Sequence, residues 1–282
     1  MNRLSKLAAA KQLLAAHLSL YQCPLCKTSF HTNDAGSFVC ERGHQFDVSK
    51  PGYLYLLAHG NKTKYDKVLF EARHHIAEAG FFQGLTQRLT ELLETLPHGV
   101  VLDAGSGEGS QLAAIKQLTG EEYTYIGVDI AKEGIKQAAR DFSDILWAVA
   151  DLANSPFASR SVDVILNILS PSNYEEFARI LKPGGYLLKV VPETDYLQEL
   201  RQFDPRLQES YSNQEVLDRF RASFEWIGSE RLTYTAELPP ERVPDLLTMT
   251  PLGWHLKAED KEALLTQTTY TVDYRILVGK AK

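Results

Sequence analysis

All three cysteines of the 282-residue chain stand close together, in Cys23-Pro24-Leu25-Cys26 and Cys40-Glu41-Arg42-Gly43-His44. The spacing is Cys-x2-Cys, thirteen residues, then Cys-x3-His. Zinc favours four sulfur or nitrogen ligands in a tetrahedron, and a closed Cys3His set leaves no coordination position open for chemistry. A module this small buries too little core to fold unaided, so the metal would supply its folding energy. Residues 27–39 can form a hairpin turning near Asp34-Ala35-Gly36. A redox Cys-x-x-Cys would need a βαβ unit behind it, which is missing here. Unligated core thiols are the other competing reading. His31 is a rival fourth ligand, but it falls where the hairpin begins, so His44 is preferred.

A second stretch with chemical potential is Val100-Val101-Leu102-Asp103-Ala104-Gly105-Ser106-Gly107-Glu108-Gly109. An apolar run ends in an acid, small and polar residues alternate with glycine, and a helix-like segment follows. Glycine lets a backbone turn sharply and approach a ligand closely, and a helix start offers unpaired N–H groups. The Gly-x-Gly-x-Gly spacing lacks the third-glycine offset of the dinucleotide fingerprint. About twenty residues on, a strand at 123–128 ends in Asp129, where an acid can hold a ribose hydroxyl pair. A third strand at 147–150 ends in Asp151, a fourth covers 163–169, and Leu181-Lys182-Pro183-Gly184-Gly185 leads into a fifth.

The elements that must position these residues follow. Leu69, Ala72, Ile76 and Ala79 recur at helical spacing, and a second helix runs to about residue 96 before the sheet begins at Val100. The segment 198–230 is helix-rich and acidic, and 231–237 and 268–278 read as the last strands. Residues 53–57 are expected to pack the Cys/His module onto the main body. In front, residues 1–20 read as an amphipathic helix with Leu4, Leu7, Ala8, Leu14, Ala15 and Leu18 on its apolar side. Lys11 interrupts this stretch and no small-residue cleavage site follows, which argues against a signal peptide.

The glycine loop with its preceding acid is similar to motif I of the S-adenosylmethionine (SAM) dependent methyltransferases. The whole set resembles more closely the RlmA family of bacterial 23S rRNA (guanine-N1)-methyltransferases. The resemblance rests on Cys-Pro-Leu-Cys, Cys-x3-His-x-Phe-Asp, Lys-x-Gly-Tyr, Asp-x-Gly-x-Gly-Glu-Gly, Leu-Lys-Pro-Gly-Gly and Met249-Thr250-Pro251-Leu252-Gly253-Trp254. It covers nearly everything from Tyr21 to about Leu277. It implies an α/β fold: a Rossmann-like, mostly parallel seven-stranded sheet with an antiparallel strand at one edge, and a small N-terminal zinc module. The implied domains are an N-terminal helix (1–20), a zinc-finger-like RNA-recognition module (21–57) and the methyltransferase domain (58–282). Cys23, Cys26, Cys40 and His44 would ligate zinc. Phe82, Gly107, Glu108 and Tyr196 would line the SAM site, with Gly105, Asp129 and Asp151 supporting it and Asp151 facing the adenine. The implied partner is a 23S rRNA hairpin loop, and a homodimer holding RNA between two such modules fits the family. The N-terminal helix departs from the pattern. The short segment after Tyr55 looks more like the branch that modifies the neighbouring guanine of the same hairpin.

Net charge is −6, mildly against a nucleic-acid partner, yet residues 1–70 carry nine Lys and Arg against four acids, leaving 21 basic and 32 acidic residues behind them. A basic front on an acidic body suits an approach to phosphate. Lys27, Arg42, Lys50, Lys62 and Lys64 are the candidate phosphate contacts. In the segment 167–173, where strand four ends, backbone carbonyls or Asn167 would hold the guanine edge, or Asn167 would only tie down the loop. Arg73 would either stabilise guanine O6 or pair with a carboxylate, the latter being favoured. No residue stands out as the base that removes the N1 proton. No apolar run is long enough to cross a membrane, and a cytoplasmic protein is expected. Two other readings compete: a small-molecule methyltransferase whose zinc module is purely structural, and a nucleic-acid-binding module on an inactive methyltransferase fold. The basic front weighs against the first, and the intact glycine loop with Asp129 weighs against the second.

Overall fold

A computed structural model describes residues 5–57, 65–203 and 212–282. The elements in order are α1 (Lys6–Ala16), β1 (Phe30–Thr32), β2 (Phe38–Cys40), β3 (Gln45–Phe46), β4 (Tyr53–Tyr55), α2 (Lys67–Glu78), α3 (Gln83–Glu94), β5 (Val100–Ala104), α4 (Ser110–Thr119), β6 (Thr124–Asp129), α5 (Lys132–Asp141), β7 (Leu146–Val149), β8 (Val162–Ile168), α6 (Tyr174–Ile180), β9 (Leu181–Pro192), α7 (Gln198–Arg201), α8 (Gln214–Ser223), β10 (Glu225–Glu237), α9 (Val243–Met249), α10 (Pro251–Trp254), α11 (Ala258–Leu264) and β11 (Thr269–Lys280).

The main sheet runs β10-β11-β9-β8-β5-β6-β7-β4. β5 to β8 are apolar runs buried on both faces, as a parallel sheet covered by helices on each side requires. Alternate residues separate into two cores. Val101, Val164 and Leu188 face α2 to α5 and α9. Leu102, Ile165 and Leu187 face α1, the Cys/His module, α6 and α8.

Four expectations need correction. Among the described residues the sheet has eight strands and not seven, because β4 pairs parallel with β7 from Tyr53 to Tyr55. The strand that runs against its neighbours is β11, one in from the edge, paired antiparallel with both β9 and β10. The helical stretch of the acidic segment stops at Ser223, and β10 already begins at Glu225. There Trp226 packs against Phe220 and the strand takes a bulge before Gly228. In α1 the buried side chains are Ala10 and Leu14, with Leu7, Leu13 and, beyond the helix, Leu18 half-buried against the same core; Ala15 is exposed, and Leu4 lies outside the described residues.

The Cys/His module is a three-stranded antiparallel ribbon, β1-β2-β3, around Phe30, Phe38 and Phe46. It is fastened to the sheet domain. Tyr21 bridges Phe157 antiparallel, their rings are 5.3 Å apart, and Gln22 N donates to Pro156 O at 2.7 Å.

Candidate functional site: a metal knuckle beside a cleft at the sheet's carboxyl edge

Two tight turns supply the four metal-ligating atoms. In the first, Lys27 N donates to Cys23 O, with Lys27 at φ +60. In the second, Gly43 N donates to Cys40 O, with Gly43 at φ +81. The sulfurs of Cys23, Cys26 and Cys40 and the ring of His44 all lie within 4.8 Å of one another. Cys26 Sγ is 3.5 Å from Cys40 Sγ, and His44 Nδ1 is 3.3 Å from Cys40 Sγ. Zn–S bonds of about 2.3 Å and Zn–N bonds of about 2.0 Å place tetrahedral ligands roughly 3.5–3.8 Å apart, so the set fits zinc. His31 is exposed on β1, away from the cluster.

The sheet's carboxyl edge opens into a cavity of ≈ 1170 Å³. Such a crevice is where α/β sheets take ligands, and this one exceeds the size usual for a single small ligand. Its floor is the glycine loop after β5. Gly105 has φ +96, and a Cβ there would stand 2.0 Å from Ser170 Oγ. Gly109 has φ +82 and starts α4, with Trp147 only 2.4 Å from where its Cβ would be. Asp129, at the end of β6, pins the loop: its carboxylate accepts from Gly107 N at 2.9 Å and from Ala131 N at 2.8 Å. Asp151 accepts from Ala153 N at 2.8 Å on the far wall. Phe82 and Tyr196 close the roof with Leu69, Arg73 and the Met249-Thr250-Pro251 segment.

Gly105, Gly107, Asp129, Asp151, Phe82 and Tyr196 therefore share one cavity. Glu108 does not line it. Its carboxylate is buried behind the loop, 3.1 Å from Arg73 Nε. Arg73 is thus carboxylate-paired, as favoured, and it also lies over the Phe82 ring, 5.4 Å from its centre. Asn167 ties down its loop: it is fully buried, donates to Ala104 O and Pro171 O, and accepts from Ser172 Oγ. Of the phosphate candidates, Lys27 is spent on the join between ribbon and sheet domain, donating to Asn154 Oδ1 and Ser155 O. Arg42 and Lys50 are exposed. Lys62 and Lys64 lie outside the described residues.

Asp103, on the buried strand β5 just before the glycine loop, carries an electrostatic strain that the sequence does not show. Burial pushes its carboxyl up to about 7, with Arg73 opposing and Asp129 and Glu108 reinforcing the rise. Its Oδ1 and the neighbouring Ser106 Oγ have no hydrogen-bond partner. Neither residue lines the cavity, so the pair is a buried polar spot behind the glycine loop. Because the folded state holds this proton more tightly than the unfolded chain, stability should fall as pH rises from about 4 to about 7 and level off above. Glu108 and Asp129 are raised by burial too, so Asp103→Asn should reduce that slope without abolishing it and raise the melting temperature at pH 8 by several degrees. A ligand-free wild type as stable at pH 8 as at pH 5 would contradict it.

The comparisons with known proteins agree with this geometry. The family model described as "RlmA, N-terminal", a zinc ribbon, matches residues 21–64, and a "Methyltransferase domain" model matches residues 101–185. A Bacillus subtilis (strain 168) protein named "Putative 23S rRNA (guanine-N(1)-)-methyltransferase YxjB" is 43% identical over 93% of this chain and 97% of its own. The chain belongs to the RlmA family. A Streptomyces fradiae 23S rRNA (guanine(748)-N(1))-methyltransferase is 31% identical over 83% of this chain and 85% of its own. A Micromonospora griseorubida relative, named as a putative enzyme of the same kind, is 30% identical over 83% and 86%. This RlmA-family chain accordingly has the class I SAM-dependent methyltransferase fold behind a zinc ribbon, with SAM and zinc as its cofactors. No helix among the described residues is long and apolar enough to cross a membrane.

Proposed function

We propose that the protein transfers the methyl group of SAM to N1 of a guanine in a hairpin loop of 23S rRNA. The observation that carries this is the docking of a Cys3His ribbon onto the domain that holds a glycine-floored cleft larger than one cofactor needs. Relatives named for this reaction on 23S rRNA support it.

Bound SAM supplies a methyl group on a sulfonium, which already has a good leaving group. The chain's own work is alignment, a proximity effect. In this reading the glycine loop and Asp129 take the methionine and ribose parts, Asp151 takes the adenine, and Phe82 and Tyr196 exclude water. Arg73, balanced by Glu108 and next to Gly107, is placed for the methionine carboxylate. The target base would leave its stack to enter, which loop bases do at least cost. Ser170 and Pro171 at the end of β8 line the cavity and offer backbone carbonyls to a guanine edge.

The reading includes a homodimer, with Val68, Trp254 and Leu265, exposed around a second groove, as the surface available to it. It also places the protein in the cytoplasm, where its substrate is.

Arg42 and Lys50 are its phosphate contacts on the ribbon side. Changing both to Glu should weaken binding of an rRNA fragment about tenfold or more and flatten its salt dependence by roughly one to two charges, with SAM affinity unchanged. An unaltered RNA affinity would remove the ribbon face from the interface. The function itself is tested by supplying labelled SAM with unmodified rRNA and, in parallel, with small phenolic and quinone-like acceptors. Label is expected in RNA alone; label in the small acceptors instead would overturn the proposal.

A further inference from the structure

Lys189 lies on β9 opposite Asn167 of β8, in a run, Leu187-Leu188-Lys189-Val190-Val191, that is otherwise apolar. Only 5% of it is exposed, yet it lines the cavity where β8 and β9 end. Its Nζ donates to Asn167 Oδ1 at 2.6 Å and to Ser170 O at 2.5 Å. The first acceptor is rigid, since Asn167 Nδ2 is held by Ala104 O and Pro171 O.

An amine nitrogen has four tetrahedral positions. Cε takes one, and the two N–H groups aimed at Asn167 and Ser170 take two more. The fourth has no partner among the described residues. In the ammonium it is a third N–H; in the free amine it is a lone pair. Among the described residues no carboxylate pairs with this nitrogen. Glu175 of α6, Arg201 of α7 and Arg219 of α8 line the same cavity, and Asp129 and Asp151 stand under the ends of β6 and β7. Burial without a counter-charge lowers the ammonium to about 8, which makes the free amine accessible near neutral pH. Of the other buried bases, Asp129 pins the loop and Glu108 faces Arg73, while Asp103 keeps an unpaired oxygen but does not line the cavity.

We propose that Lys189 is the general base of the methyl transfer, taking the N1 proton of the target guanine through the fourth position of its Nζ. The proposal rests on the function proposed above. The N1–H bond breaks and an Nζ–H bond forms. The N1 electron pair bonds the methyl carbon as the carbon–sulfur bond breaks, and sulfur keeps that pair as a neutral thioether. The proton stays on Nζ as ammonium until it passes to water at the cavity mouth. An amine whose acidity lies near the working pH is well matched to this task.

The test uses full-length, zinc-loaded protein, SAM and an unmodified 23S rRNA fragment under single-turnover conditions. The wild-type rate should rise about tenfold per pH unit below about 8 and flatten above it. Lys189→Arg keeps the charge and the donors but stays protonated, so it should lose at least 100-fold in rate, with SAM affinity within about threefold. Lys189→Ala should regain activity saturably with methylamine, following the concentration of its free-base form. A wild-type rate flat from pH 6.5 to 9.5 overturns the assignment whatever the variants do. So does a Lys189→Arg protein retaining more than about a tenth of wild-type rate, or a folded, SAM-binding Lys189→Ala that amines do not rescue. A wild type that places no methyl on guanine N1 overturns the functional reading itself, and the assignment with it.

Discussion

Cys40→Ser should strip the ribbon of its metal and its order together. Cys40 ends β2, is buried, and its sulfur lies within 3.5 Å of both Cys26 Sγ and His44 Nδ1. Serine is not ionised at neutral pH and is a poor replacement for a thiolate. Structural zinc binding is worth on the order of 10 kcal/mol in small modules. Three short strands around Phe30, Phe38 and Phe46 bury too little apolar surface to replace it. The variant should hold less than about a tenth of one zinc per chain, be cut by protease between residues 21 and 46, and lose methyl transfer to RNA. SAM binding should persist in weakened form, because the cavity is built from residues 65 onward. His31→Ala should change none of this. A Cys40→Ser protein with full zinc content and an uncleaved ribbon would contradict the ligand assignment.

Asp129→Ala should lower SAM affinity by at least 100-fold. The carboxylate does two jobs in this account. It holds Gly107 N and Ala131 N, and it presents its remaining lone pairs to the ribose. Each charge-assisted hydrogen bond is worth roughly 1.5–3 kcal/mol, and 100-fold in affinity corresponds to about 2.7 kcal/mol. Losing the loop anchor and the ribose contact together reaches that figure. Asp129→Asn keeps one acceptor oxygen and should fall between the two. Calorimetric titration with SAM decides it, and an Asp129→Ala protein within fivefold of wild type would remove Asp129 from the site.

Much of the site could be read along the chain because its signals are local. Cysteine spacing fixes the knuckle, and the glycine rhythm and the acids at 129 and 151 each close a strand. What could not be read depends on which strands meet. Tyr53–Tyr55 are three residues with no pattern of their own, and only pairing with β7 shows them to be a sheet edge. Glu108 sits within the loop motif, but Arg73 from α2 turns it inward. Along the chain Asn167 fits two roles, and only its fold partners Ala104, Pro171 and Ser172 decide between them. Lys27 reads along the chain as a phosphate contact, and only the ribbon's dock sets Asn154 against it. Lys189 reads as one polar residue in an apolar strand, and only the register with β8 sets its amine between two acceptors at the cleft.

The most direct measurement is nucleoside analysis by mass spectrometry of unmodified 23S rRNA incubated with SAM and the purified protein. The account predicts one new 1-methylguanosine per RNA, confined to a hairpin loop and absent with Asp129→Ala. Methylation at any other atom or base, or none with a zinc-loaded protein that binds SAM, would contradict it.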